Sequence, residues 1–141
     1  MANVVKSVLV PRPAAELFAL VDDCERYPEF LPWCSHAEVF ERSDAVTRAR
    51  LDVDYHGLKT HITTVNRKSP PDRIDLEFLE GPFDVFKGRW RFTPLGAEGC
   101  RVDLEVEYEL ASASMASMLR PVFGHIVETL VDRFVARAEA L

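Results

Sequence analysis

The sequence is poor in the features that announce chemistry. It holds three cysteines, Cys24, Cys34 and Cys100, widely spaced and without a C-x-x-C. That excludes a zinc ribbon and a disulfide scaffold and leaves reduced thiols as the simplest reading. There is no G-x-S-x-G, no H-x-x-x-H, no P-loop and no dinucleotide glycine pattern, so no common nucleophile, metal or phosphate site is signalled. The four histidines, His36, His56, His61 and His125, are scattered. Apolar runs last only a few residues, far short of a membrane span, and the first residues lack the apolar core of a secretory signal. Basic charge is also scarce. Seventeen Lys and Arg against 23 Asp and Glu give a net charge of −6, which disfavours coating DNA or RNA. The expectation is a soluble, intracellular protein with no DNA partner. Arg42, Arg48, Arg50, Lys59, Arg67 and Lys68 leave room for a local basic area.

What is present is one domain's worth of ordinary globular sequence. The 141 residues are 48% apolar and 28% charged, enough for a single core over 1–141. Val4 to Val10 is β-branched and reads as a strand stopped by Pro11 and Pro13. Ala14, Leu17, Phe18 and Val21 recur at helical spacing, with Pro13 suited to a first turn. A very short helix is expected from Pro28 to Leu31, closed by Pro32.

The middle alternates with period two. Ala49, Leu51, Val53 and Tyr55 oppose Arg48, Arg50, Asp52 and Asp54, and His56-Gly57 fits a two-residue turn. With that turn, Leu58, Thr60, Ile62 and Thr64 face inward, Lys59 faces Asp54 and His61 faces Asp52. Ser69-Pro70-Pro71-Asp72 is a turn before a strand from Arg73 to Leu79, with Ile74, Leu76 and Phe78 inside. Phe86, Gly88, Trp90 and Phe92 alternate with Lys87, Arg89 and Arg91. Beyond a turn at Gly96 to Gly99, Cys100 to Leu110 alternates likewise. Pairing Phe92 with Val102 sets Arg91, Arg89 and Lys87 against Asp103, Glu105 and Glu107. A slip by one residue would turn the apolar set outward, so the charges choose the register. The charged stripe is then a solvated face.

Ser114 to Ala140 reads as a long amphipathic helix of about 40 Å, with Ser112 or Ser114 as its cap and with Pro121 and Gly124 loosening its early turns. It is the only large apolar partner for the strands. The fold class is therefore α+β, a curved antiparallel sheet of six to seven strands around a long C-terminal helix, with two short helices after the first strand. A wide sheet around a narrow helix predicts an elongated, mostly apolar pocket between them. Thr60, Thr64 and Tyr108 place hydroxyls on its inner face, with Tyr55 a further candidate. These are either ordinary strand formers or polar handles for an amphipathic guest. Cys34 and His36 would share a face of a strand about 7 Å apart, but no third group orients them, and catalysis is not expected.

The run Tyr27-Pro28-Glu29-Phe30-Leu31-Pro32-Trp33-Cys34 resembles the signature of the START-like family that contains coenzyme Q-binding proteins and the RatA ribosome association toxins, formerly called oligoketide cyclases. Gly81-Pro82-Phe83 followed by Gly88-Arg89-Trp90-Arg91-Phe92 is similar to that family's second signature. On its own, the first run is either a hydrophobic plug or a pocket wall, and Gly81-Pro82-Phe83 is either a tight loop or a mobile lip. The resemblance spans essentially the whole chain and implies the helix-grip fold.

It also implies a carrier or chaperone for ubiquinone or another polyprenyl lipid, in support of respiratory electron transport. No further cofactor would be required. The implied cavity wall draws on Phe18, Tyr27, Phe30, Leu31 and Trp33 near the first motif. It takes Leu51, Val53, Thr60, Phe78 and Phe83 from the middle, Trp90, Phe92, Leu104 and Tyr108 from the later strands, and Val122, Phe123, Ile126 and Leu130 from the last helix. The same family implies two other readings, a toxin that binds the large ribosomal subunit and blocks subunit association, and a polyketide cyclase-like enzyme. A bacterial cytoplasmic location, peripheral to the inner membrane with transient membrane contact, is the matching expectation.

Overall fold

The computed structural model describes residues 1–140. Strand β1 (Ala2–Val10) leads into helix α1 (Ala14–Asp22) and a 3-10 helix (Cys24–Glu29). Six further strands follow: β2 (Cys34–Arg42), β3 (Val46–Tyr55), β4 (Leu58–Ser69), β5 (Arg73–Glu80), β6 (Phe83–Leu95) and β7 (Gly99–Leu110). Helix α2 (Ala113–Ala140) closes the chain. The seven strands form one sheet in the order β1-β7-β6-β5-β4-β3-β2, and every neighbouring pair is antiparallel. This is the helix-grip arrangement. β1 and β2 are successive in the chain but lie on opposite edges, so α1 and the 3-10 helix must cross the end of the sheet between them.

Alternation sets the register as the sequence implies. Phe92 pairs with Val102, and Arg91, Arg89 and Lys87 stand opposite Asp103, Glu105 and Glu107. Lys59 faces Asp54 and His61 faces Asp52 across the His56-Gly57 turn. Both turn residues have positive φ, 51° and 84°, the backbone that a tight hairpin needs. The ion pairs take other partners. Arg89 also has Asp75 beside it on β5 and bonds that carboxylate at 2.6 Å. His61 Nε2 lies 2.7 Å from Glu80 Oε1, while Asp52 accepts from Arg50 at 2.8 Å. A charged residue on an inner strand has two cross-strand neighbours, and a single strand pair cannot tell which one wins.

Three local expectations are corrected. The short helix runs Cys24–Glu29 instead of Pro28 to Leu31. Pro28 sits within it and offers no N–H to the Glu25 carbonyl. Cys34 and His36 do not share a face. A β-bulge between them leaves Cys34 buried and His36 exposed, and the thiol meets the His36 carbonyl oxygen at 3.5 Å instead of its ring. The proposed basic area is also neutralised. Arg42 forks onto Glu25 at 2.6 and 2.7 Å, Arg50 pairs with Asp52, and Arg67 pairs with Glu77 at 2.6 Å. Lys68 turns inward with its side chain only 4% exposed and meets Asp22 at 3.0 Å.

Helix α2 is capped by Ser112, whose Oγ accepts from the Met115 N–H at 3.1 Å. It buries Leu119, Val122, Phe123, Ile126, Val127, Val131, Phe134 and Ala138 against the sheet. Its last turns hold the 3-10 helix. Arg137 donates to Glu29 at 2.7 Å and lies 5.1 Å over the Phe30 ring, while Phe134 meets the Tyr27 and Phe30 rings edge-on, both at 5.2 Å. A second tie joins α1 to the sheet. Asp22, the last residue of α1, accepts from Thr47 Oγ1 at 2.7 Å and from Lys68 Nζ at 3.0 Å. Its backbone carbonyl accepts from Arg42 at 2.8 Å. Strands β2, β3 and β4 are thus all fastened to one carboxyl-bearing residue.

Candidate functional site: a small apolar cavity

Residues from β3, β4, β5, β6 and β7 face a single cavity, together with α1, the 3-10 helix and α2. Five neighbouring strands can reach one hollow only if the sheet wraps around the helix. The cavity measures about 100 Å³. Since a water molecule occupies roughly 30 Å³ of liquid, this is room for only a few small molecules. Drug-sized ligands fill pockets of about 300–1,000 Å³. The elongated pocket expected from the sequence is therefore a short hollow, because aromatic rings fill both ends of the wrap. Near α1, Phe18 meets Phe92 edge-on at 5.7 Å and Phe92 stacks on Trp90 at 6.1 Å. Phe83 meets Phe123 at 4.8 Å, Phe86 at 5.1 Å and Tyr108 at 5.9 Å towards the Gly81-Pro82 turn.

The structure brings Tyr27, Trp33, Leu51, Val53, Trp90, Leu104, Phe123, Ile126 and Leu130 to the cavity wall. The other expected wall residues lie elsewhere. Phe18, Leu31 and Phe92 are buried in the layer beneath α1 and the 3-10 helix, and Phe30 is half-buried against Phe134. Phe78, Phe83 and Tyr108 belong to the aromatic cluster at the opposite end. Val122 is buried on α2, and half-buried Thr60 pairs with Val53 near the hairpin turn. Those on strands turn inward, but packing consumes them before they reach the hollow.

Further residues lie outside the wall named from the sequence, although the register had already turned Thr64 inward. Val21, Cys24, Ala49, Ile62, Thr64, Asn66, Leu76, Phe86, Val106, Val127 and Phe134 complete the lining. Asn66 matters most. Extending the β4 alternation beyond Thr64 puts Asn66 and then Lys68 inside, a polar tail to an otherwise apolar face that the pattern already contained. Asn66 is 6% exposed, and its Oδ1 accepts from Thr64 Oγ1 at 2.7 Å. That leaves the amide NH₂ to donate elsewhere. Trp33, also 6% exposed, carries an indole Nε1–H with no hydrogen-bond partner among the described residues. A buried donor without an acceptor costs about 1–3 kcal/mol, so the wall holds an unmet demand for an oxygen. Tyr27 makes no such demand, because its hydroxyl donates to the Val21 carbonyl.

The wall provides polarity without reactivity. No group of three or more His, Cys, Asp or Glu side chains among the described residues could hold a metal ion. Burial pushes the thiols of Cys24 and Cys34 up from 9.0 to about 12, so neither is a thiolate near neutral pH. The raised values also fix a sign. Stability is complete below pH 9, where both folded and unfolded thiols are neutral. It is lost as pH rises towards 12, because the unfolded thiols ionise first. Native protein at pH 8 is expected to leave all three buried thiols, Cys100 included, unreactive towards a chromogenic disulfide reagent, and urea to release all three at once. Rapid native reaction would contradict the burial.

No helix among the described residues is long and apolar enough to cross a membrane. Residues 10–135 match the family described as polyketide cyclase / dehydrase and lipid transport. The chain is 39% identical over 139 residues to the ribosome association toxin RatA of Pseudomonas aeruginosa, covering 99% of this chain and 96% of that one. It is 28% identical over 141 residues to a mitochondrial coenzyme Q-binding protein of Schizosaccharomyces pombe, covering 94% of this chain and 84% of the other. The ZhuI aromatase/cyclase of Streptomyces sp. R1128 superposes with a TM-score of 0.84 over 98% of this chain and 93% of its own, at 22% identity, a likeness of fold alone. With nearly its whole length matched, the chain belongs to the polyketide cyclase / dehydrase and lipid transport family.

Proposed function

We propose that this protein binds one hydrophobic small molecule, of the polyprenyl quinone class, between the sheet and α2, and acts as a carrier and not as a catalyst. The observation that carries the reading is the cavity's composition: an apolar wall that includes Trp33, whose buried Nε1–H has no partner among the described residues, and the amide-bearing Asn66. A quinone ring offers carbonyl oxygens to such donors, and its tail gains about 0.8 kcal/mol per buried methylene. The name of the fission-yeast relative, a coenzyme Q-binding protein, supports the same class. At about 100 Å³ the hollow must widen to admit such a guest, so binding and opening are one event.

Gentle purification from quinone-rich cells, lipid extraction and mass spectrometry test the reading. A quinone is expected to co-purify and to be retained less well by Trp33→Phe, which keeps the ring and removes the donor. Loss of one neutral hydrogen bond, worth about 1 kcal/mol, weakens binding about fivefold. Protein that carries no lipid and takes up none on addition would defeat the proposal.

The 39% identical relative named as a ribosome association toxin favours a second reading, binding to the large ribosomal subunit. The pairing of Arg42, Arg50, Arg67 and Lys68 with carboxylates argues against a contact made by that basic cluster with RNA. Sucrose-gradient profiles after overexpression separate the readings. A fall in joined ribosomes supports ribosome binding, and unchanged profiles remove it.

A further inference from the structure

The sheet is not continuous. β5 and β6 are joined by the short Gly81-Pro82 turn, yet they pair only from Arg73 with Arg91 to Glu77 with Lys87. Continued towards the turn, the same register would set Phe78 against Phe86, Leu79 against Val85 and Glu80 against Asp84. None of these pairs forms. The end of β5 stays with β4 instead, with Phe78 beside Thr64 and, after a bulge, Glu80 beside Thr63. The end of β6 stays with β7, with Phe86 beside Tyr108, Val85 beside Glu109 and Phe83 beside Leu110. The two strands therefore part over the last turn of their ladder.

Two hollows share lining residues at this parting. A groove on the outer side is lined by outward-facing Asp75, Glu77, Lys87 and Arg89, and also by Leu76, Phe78, Phe86 and Val106, whose alternation places them on the inner face. Leu76, Phe86 and Val106 line the inner cavity as well. Phe78 and Phe86 remain half-buried here, and their ring centroids stand 6.4 Å apart. Beside them the Leu76 side chain packs directly over Gly88, where a Cβ would lie 2.7 Å from Leu76 Cδ1. Side chains that are held by packing alone, with no ladder of backbone hydrogen bonds between their strands, are the ones that open at low cost.

We infer that the guest enters laterally through the parting between β5 and β6, and that Phe78 and Phe86 are the gate across it. This rests on the binding reading above for its guest but not for its geometry. The hollow is too small for a quinone, and swinging the two rings outward both opens a path and joins the cavity to the outer groove.

The protein carries its own reporters. Its two tryptophans, Trp33 and Trp90, both line the cavity. Acrylamide quenching of their fluorescence needs no ligand, and is expected to rise severalfold in Phe78→Ala and in Phe86→Ala. Phe40→Ala, on the exposed edge strand β2, is expected to behave as wild type. Stopped-flow mixing with a ubiquinone analogue bearing a ten-carbon saturated tail is expected to show faster entry and faster exit in both gate variants, with nearly unchanged affinity. Bridging Leu79→Cys to Val85→Cys with a short bis-maleimide is expected to slow entry severalfold. Wild type that binds no quinone, while quenching still rises in the gate variants, would end the binding reading and leave the portal standing. Quinone binding with quenching and entry rates unchanged in both gate variants would overturn the portal.

Discussion

Phe134→Ala is expected to cost about 3–5 kcal/mol in urea denaturation, the range for emptying a fully packed phenylalanine site. Phe134 is 2% exposed and stands where three elements converge. Its ring meets Tyr27 and Phe30 at 5.2 Å and Trp90 at 5.3 Å, so it joins α2 to the 3-10 helix and to β6. It also borders the cavity. Truncation therefore enlarges an existing hollow, where a new one would otherwise form, and the surrounding rings are too rigid to collapse into it. A second readout follows. A small apolar solute such as benzene is expected to raise the Tm of Phe134→Ala more than that of wild type, because an enlarged dry cavity gains a guest. A loss below 1 kcal/mol, with no solute effect, would show that the ring is not the keystone described.

Asp22→Ala is expected to cost about 3–5 kcal/mol, the usual result of stranding a buried charge. The carboxylate serves the Lys68 ammonium, which is only 4% exposed, and the Thr47 hydroxyl, in a residue with no exposed surface. Removing it leaves both without their acceptor, and Arg42 retains only Glu25 and the Asp22 backbone. The sharper test is the cycle. Lys68→Met placed in Asp22→Ala is expected to restore much of the loss, since it removes the orphaned charge and fills the space with a flexible apolar chain. Independent, additive losses in urea titrations of the two variants would show that the pair is not coupled.

The strands were legible because alternation reports which side of a strand is wet. The β6–β7 register followed from charge pairs read in the sequence and is observed residue for residue. The cavity was legible as a location and not as a size. Period two tells that Phe92 and Tyr108 face inward; it does not tell how far a ring reaches, and rings from α1, α2 and the aromatic cluster, with Phe83 brought in by a β-bulge, close most of the expected tunnel. The bulge at Cys34 and His36 carries no glycine or proline to mark it, so it was invisible, and with it the separation of thiol from imidazole. Lys68 read as surface because lysine almost always is. Its burial depends on Asp22, 46 residues earlier in the chain, whose carboxylate it meets, a pairing that only the crossing of α1 over the sheet end creates.

The placement of the first strand constrains how the chain is made. β1 pairs only with β7, and its last residue, Val10, lies against Cys100. On a growing chain the meander from β2 to β6 can assemble hairpin by hairpin, but β1 has no partner until β7, which begins at Gly99, has emerged. Val5 and Leu9, still exposed in the finished protein at 63% and 72%, sit on that waiting strand. Synthesis thus leaves an unclaimed β-segment tethered to a half-built sheet, and closing so long a loop is the slow, non-local step of folding. Holding that segment soluble until the seventh strand arrives is a task for whatever meets the nascent chain.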